Sequence, residues 1–262
     1  FRHMDFDTRI AGFADFVGRK KYLYDDNGHG THVAGIIAGS GKGSNGKYRG
    51  IAPDTFLVSV KVLDKSGNGK IENVVEAAGW IIENKSAMNI RVVNISFGTR
   101  AKMENGPAIE TGEDDYALIM AVEKMWDSGI VVVAAAGNNG PGNASVTAPG
   151  ISKKIITVGA FDDKNFFSGR GPTRECIVKP EVVVTGSNII ACNNRQGRYS
   201  SKSGTSMAAP VVSGAVARLI KNNPDITPKE VKIWMKSCCK KINVPSEKQG
   251  WGVLDIRKFV IG

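Results

Sequence analysis

Three short stretches pair a reactive side chain with small residues that would leave it accessible. In Asn27-Gly-His-Gly-Thr-His-Val-Ala-Gly35, His29 stands between two glycines and ahead of small and apolar residues. That pattern reads as an imidazole presented at a helix start, where it can carry a proton. It describes equally a turn with a surface histidine. In Gly204-Thr-Ser-Met-Ala-Ala-Pro210, Ser206 precedes a long apolar run. At a helix N-terminus the free N–H groups and the dipole favour a developing oxyanion. Pro210 cannot donate to the carbonyl four residues back, that of Ser206. The plain alternative is a serine cap on a core helix. In Val133-Ala-Ala-Ala-Gly-Asn-Asn139, an apolar run ends in Gly137-Asn138. The Asn138 amide could donate into a cleft there, or Gly and Asn could simply make a turn.

These side chains need a frame. Residues 56–62, 91–97, 130–136 and 155–160 read as strands, several apolar at nearly every position, as strands buried on both faces are. Residues 71–84 carry Ile71, Val74, Val75, Ala78 and Ile82 at helical spacing. Residues 113–127 carry Leu118, Val122 and Met125, with Gly129 as a cap. Thr227-Pro-Lys-Glu230 predicts a helix start with a capping box and proline at the first helical position. Strand–helix alternation of this kind predicts a parallel α/β sheet layered by helices. In such folds catalytic groups gather at the carboxyl ends of strands.

Composition narrows the classes. Of 262 residues, 42% are hydrophobic and 23% charged, an ordinary globular balance that excludes wholesale disorder. The longest strongly apolar run, 130–136, falls far short of the about 20 residues a membrane helix needs. The net charge is +10. Its positives lie in short scattered groups such as Arg19-Lys20-Lys21, with no basic stripe, so neither nucleic acid nor membrane is an expected partner. Cys176, Cys192, Cys238 and Cys239 form no C-x-x-C pair, and all four are expected as buried free thiols, the last two on a helix.

Together the three stretches resemble the subtilases, the subtilisin-like serine proteases. His-Gly-Thr-His-Val-Ala-Gly and Gly-Thr-Ser-Met-Ala-Ala-Pro match that family's two most specific signatures, and Ala-Ala-Gly-Asn and Asn94-Ile-Ser-Phe-Gly98 add two more. The resemblance runs from Phe1 to about Gly262. It implies a single domain, 1–262, with a three-layer α/β fold: a central, mostly parallel sheet flanked by helices. It implies a bacterial endopeptidase, cytoplasmic or secreted, acting on protein or peptide substrates. His29 would be the general base, Ser206 the nucleophile, and Asn138 with the Ser206 N–H the oxyanion hole. His32 would be structural. Ser96, Phe97 and Gly98 would edge the substrate site, Ala135, Ala136 and Gly137 would line the primary pocket, and Thr147 would form its base. No cofactor is expected.

Two features depart from the family pattern. Structural calcium is common in subtilases, but residues 41–47 hold no carboxylate. Asp64-Lys-Ser-Gly-Asn-Gly-Lys-Ile-Glu72 resembles the opening of an EF-hand loop, yet its twelfth position is Val75 rather than the required Glu. A polar strand-to-helix turn is expected there, and no metal ligands are assigned. The triad Asp of subtilisin lies roughly thirty residues before its His. No Asp-Thr-Gly or Asp-Ser-Gly precedes His29, and His3-Met4-Asp5 resembles the stretch just after that Asp. Asp5, Asp7 and Asp15 are therefore poor triad candidates. The expectation is that an N-terminal segment outside this sequence, or a propeptide, accompanies the chain and supplies Asp and strand together. The alternative is an impaired subtilase-like fragment or a peptide-binding pseudoenzyme. A basic nucleic-acid-binding protein would explain only the charge.

Overall fold

The computed structural model describes residues 3–99, 112–195 and 197–261; Phe1 and Gly262, the ends of the expected domain, lie outside them. In chain order the elements are β1 (Ile10–Asp15), α1 (His29–Ala38), β2 (Leu57–Lys61), α2 (Ile71–Asn84), β3 (Val92–Ile95), α3 (Glu113–Asp127) and β4 (Val131–Ala135). There follow β5 (Ile156–Ala160), β6 (Val182–Val184), β7 (Ile189–Cys192), β8 (Tyr199–Lys202), α4 (Thr205–Asn222) and α5 (Pro228–Ser237). The chain closes with β9 (Cys239–Lys240), α6 (Ser246–Gln249), β10 (Val253–Leu254) and α7 (Ile256–Ile261).

Six strands form one sheet in the order β3-β4-β5-β6-β10-β9. All neighbours run parallel except β10 and β9. β1 and β2 make a separate parallel pair, and β7 and β8 an antiparallel ribbon. Period-two alternation sorts β4 between two helix layers. Val131 and Val133 pack with Val33 and Ile36 of α1 and Val212 and Val216 of α4. Val132 and Ala134 pack with Ala78 and Ile81 of α2 and Val122 and Met125 of α3. The mostly parallel, three-layer α/β architecture is thus the one the sequence implies.

α2 and α3 span the residues that the helical periodicity marks. At α5 the Thr227 side chain accepts from the Glu230 N–H, Glu230 accepts from the Thr227 N–H, and Pro228 takes the first helical position. The Asp64 turn is polar as expected, with Oδ1 accepting from Ser66 and Asn68 N–H groups. Two expectations need correction. α5 ends at Ser237, so Cys238 is its C-terminal cap and Cys239 opens β9. All four thiols are free, but only Cys192 and Cys238 are buried: Cys239 is half-buried, and Cys176 is exposed in a turn closed by its N–H to Thr173 O. Among the described residues no helix is long and apolar enough to cross a membrane.

Candidate active site

The first turn of α4 is tied to the ends of two strands. Gly204 leads into it at φ 147°, where a Cβ would lie 3.3 Å from Asn138 Nδ2. Asn138 Oδ1 accepts from the Thr205 N–H (3.0 Å) and Thr205 Oγ1 (3.1 Å). Thr205 Oγ1 in turn accepts from the Gly137 N–H. Ser206 Oγ donates to Ser96 O at 2.9 Å, and Ser96 Oγ donates to Ser206 O at 2.9 Å. That second acceptor is the carbonyl that Pro210 leaves without a helical donor. Asn94 completes the tie: its Nδ2 donates to Ser96 Oγ, and its Oδ1 accepts from Ser213 Oγ. Sequence reasoning missed Asn94, Thr205 and Ser213. Two polar residues inside an apolar strand, Asn94 and Ser96, were the available signal. Because Oδ1 is engaged, the exposed Asn138 presents its Nδ2, which has no acceptor among the described residues.

His29 opens α1. Asp25 closes that helix end: Oδ1 accepts from the Asn27 and Gly28 N–H groups, and Oδ2 from Thr31 N–H and Oγ1. Gly28 turns the chain at φ 94°, and the His29 N–H donates to Asn27 Oδ1. The half-buried His29 ring makes no hydrogen bond among the described residues. Burial, aided by the Lys202 charge and opposed by Asp25, holds its pKa below the ordinary imidazole range. His32 is fully buried and structural, as the resemblance implied. Its Nε2 lies 3.1 Å from Ile189 O and 3.0 Å from Ser200 O, and so carries the proton that bridges β7 and β8.

Among the described residues no carboxylate hydrogen-bonds the His29 ring. Asp15 ends β1, but it accepts from the Val17, Gly18 and Lys20 N–H groups and from Tyr24 OH. Burial alone would raise its pKa; these hydrogen bonds outweigh burial and hold it at about 2. Asp7 is exposed and pairs with Lys42. Asp5 is fully buried. Its carboxylate accepts from the Gly41 and Gly43 N–H groups, Tyr199 OH and Cys192 Sγ. His3, Asp5 and Cys192 place possible metal ligands within 4.8 Å of one another. Yet His3 Nδ1 accepts from the Asp5 N–H, while Nε2 donates to Arg198 O. Both Asp5 carboxylate oxygens already accept from N–H, O–H or S–H donors, and so do not fit a calcium ion.

The proposed pocket residues divide. The space beyond Gly98 Cα and Gly137 Cα is occupied in both cases by Thr147 Oγ1, which would lie 2.6 Å from a Cβ at Gly137. Thr147 Oγ1 is buried and has no hydrogen-bond partner among the described residues. Gly98, Gly137 and Thr147 therefore converge. Ala135 and Ala136 are buried behind them, and Ala136 O accepts the Thr147 N–H. Phe97 packs into the apolar clusters around α2 and α3. Ser96 faces Ser206 rather than the pocket.

Comparisons with known proteins bear on family and fold. The profile of the subtilase family matches residues 2–252. Serine protease AprX of Bacillus subtilis (strain 168) is 41% identical over 264 residues, covering 90% of this chain and 58% of that protein. Subtilisin DY of Bacillus licheniformis is 35% identical, covering 86% of this chain and 75% of the other. The chain thus spans little more than half of the first of these relatives. Among solved structures, a cold adapted subtilisin-like serine proteinase superposes with TM-score 0.76 at 30% identity, covering 97% of this chain and 82% of that one. Sphericase superposes with TM-score 0.80 at 25% identity, covering 96% and 86%. The chain belongs to the subtilase family.

Proposed function

We propose that this chain is the catalytic part of a serine endopeptidase. The observation that carries the reading is the first turn of α4, where Ser206 and the free Nδ2 of Asn138 are held together by Thr205 and Ser96. Ser206 Oγ attacks the scissile carbonyl carbon while His29 takes its proton. The tetrahedral oxyanion accepts from Asn138 Nδ2 and the Ser206 N–H at the helix start. The C–N bond then breaks, and His29 returns the proton to the leaving amine. Water attacks the acyl-enzyme by the same route and frees the acid and Ser206. The substrate lies extended and pairs with the 96–98 edge. Its side chain before the cleaved bond enters the space floored by Thr147.

One observation favours a second reading, an impaired fragment or peptide-binding pseudoenzyme. Ser206 Oγ rests on Ser96 O, and among the described residues no carboxylate hydrogen-bonds the His29 ring. An orienting acid restored beside His29 separates the two: the peptidase gains rate and the pseudoenzyme does not.

Ser206→Ala is expected to abolish peptide hydrolysis with the thermal melting point nearly unchanged; undiminished turnover would remove Ser206 from the mechanism. Asn138→Ala should lower kcat by about 10²–10³ with KM little moved, a size taken from the corresponding substitution in subtilisin rather than from this geometry. A change confined to KM would make Asn138 a binding residue only.

No acidic side chain lies among the converging pocket residues, so a peptide library should show medium apolar or aromatic residues before the cleaved bond. Thr147→Gly removes the floor between Gly98 and Gly137 and should raise kcat/KM for aromatic over medium aliphatic residues. A library dominated by Lys or Arg, or a profile unmoved by Thr147→Gly, would contradict the pocket assignment.

The base must be neutral, so kcat/KM should rise with pH through the His29 pKa. Lys202 is a like charge that lowers this pKa. Lys202→Met should therefore move the acid limb of the profile to higher pH. An unmoved limb would mean that another group controls it.

A further inference from the structure

Lysine is almost never fully buried, yet Lys179 is. Its Nζ donates to both carboxylate oxygens of Glu181 (2.7 and 2.9 Å), to Thr157 Oγ1 (3.1 Å) and to Ile155 O (3.2 Å). Glu181 immediately precedes β6, and Ile155 and Thr157 lie at the amino end of β5. Strands β3 to β6 run parallel, and Ser96 and Asn138 follow the carboxyl ends of β3 and β4. The Lys179 cluster therefore lies at the opposite end of the sheet from the candidate active site.

A second ammonium shares the same carboxylate. Lys232 of α5 places Nζ 2.9 Å from Glu181 Oε1 and donates to the carbonyls of Lys153, Lys154 and Ile155. Glu123 of α3 also acts on Lys179, but it is engaged by Ser152 Oγ and Lys154. Two cations thus meet one carboxylate in a place largely closed to water, an excess of one positive charge. Such an excess is costly in a protein interior. The Lys232 side chain keeps 18% of its surface in water and Lys179 keeps none, so Lys179 is the group that relieves it. Every group that Lys179 touches also has another partner. Glu181 Oε1 has Lys232, and Oε2 accepts from the Thr157 N–H at 2.7 Å. Ile155 O accepts from Lys232 at 3.0 Å, and Thr157 Oγ1 donates to Gly150 O at 2.6 Å. No polar partner depends on the Lys179 charge.

We propose that Lys179 is an alkaline stabiliser built into the sheet: the folded chain releases its proton as the pH rises above neutrality, and the fold gains stability as it does so. Burial, opposed by Glu181 and Glu123 and aided by Lys232, pulls the Lys179 pKa down from an ordinary 10.5 to about 8. Between those two values the unfolded chain binds a proton that the folded chain has lost, so raising the pH favours the folded chain. Below about 8 both states carry the proton, and the cost of burying it is felt in full. The neutral amine keeps N–H groups for Glu181, while Glu181 and Lys232 remain as a one-to-one pair. The device does not depend on the chemistry proposed for Ser206.

The test follows the Lys179 Nζ and Cε resonances of the folded chain by NMR across neutral to alkaline pH. Melting temperatures of the unaltered chain, Lys179→Met and Lys232→Met are measured over the same range. The Lys179 resonances should titrate well below those of the exposed lysines. The melting temperature of the unaltered chain, less that of Lys179→Met, should rise with pH above about 8. The expected slope is about 3–5 °C per pH unit, the effect of one proton in a chain of this size. Taking the difference cancels every group that titrates alike in both chains. Lys232→Met removes the excess charge but keeps Lys179, so Lys179 should then titrate at higher pH and the rise should begin later. The NMR titration needs no variant, so a Lys179→Met chain that fails to fold leaves the proposal open to refutation. Lys179 titrating together with the exposed lysines, or above them, would overturn it. So would a difference in melting temperature that stays flat or falls with pH, the behaviour of an ion pair that stabilises through the Lys179 charge.

Discussion

The reciprocal pair of hydrogen bonds between Ser96 and Ser206 holds the molecule's chemistry in place. Pro210 deprives Ser206 O of its helical donor, and a carbonyl shielded from water without a donor is costly. Ser96 Oγ fills that need, and the Ser206 hydroxyl returns the bond to Ser96 O. The end of β3 is thereby fixed to the start of α4, a helix buried along most of its length. Asn138, at the end of β4, is fixed to the same turn through Thr205. Strand ends and helix start thus converge on one point, the place where parallel α/β sheets present functional groups.

His29 comes from a different part of the frame. Its helix start is built by Asp25, whose carboxylate is fully engaged by N–H and hydroxyl donors. Helix capping and imidazole orientation compete for a carboxylate, and here capping takes Asp25. Asp15 and Asp5 are engaged in the same manner by loop amides.

Much of this was legible in the sequence, for identifiable reasons. Residues whose neighbours are sequence neighbours could be read directly. The Thr227–Glu230 capping box is local, and α2 and α3 follow from their own periodicity. β4 follows from its unbroken apolar run. The assignment of His29, Ser206 and Asn138 rested on motif resemblance, because spacing alone left a bland alternative for each. Long-range facts stayed hidden. Nothing local marks β1 as a strand: Ile10–Asp15 has an irregular burial pattern, and its partner among the described residues is the distant β2. Nothing local shows that Ser96 turns toward Ser206 while Phe97 packs into the core. The cysteine pair was misplaced because a helix stop at Ser237 carries no Gly or Pro signal, and β9 exists only through its pairing with β10.

The central claim is that the first turn of α4 presents Ser206 as an activated nucleophile. Mass-spectrometric mapping of a fluorophosphonate adduct tests it most directly. The account predicts one adduct per chain, on Ser206, lost in Ser206→Ala and slowed in His29→Ala. An adduct on another residue, or labelling undiminished by Ser206→Ala, would contradict it.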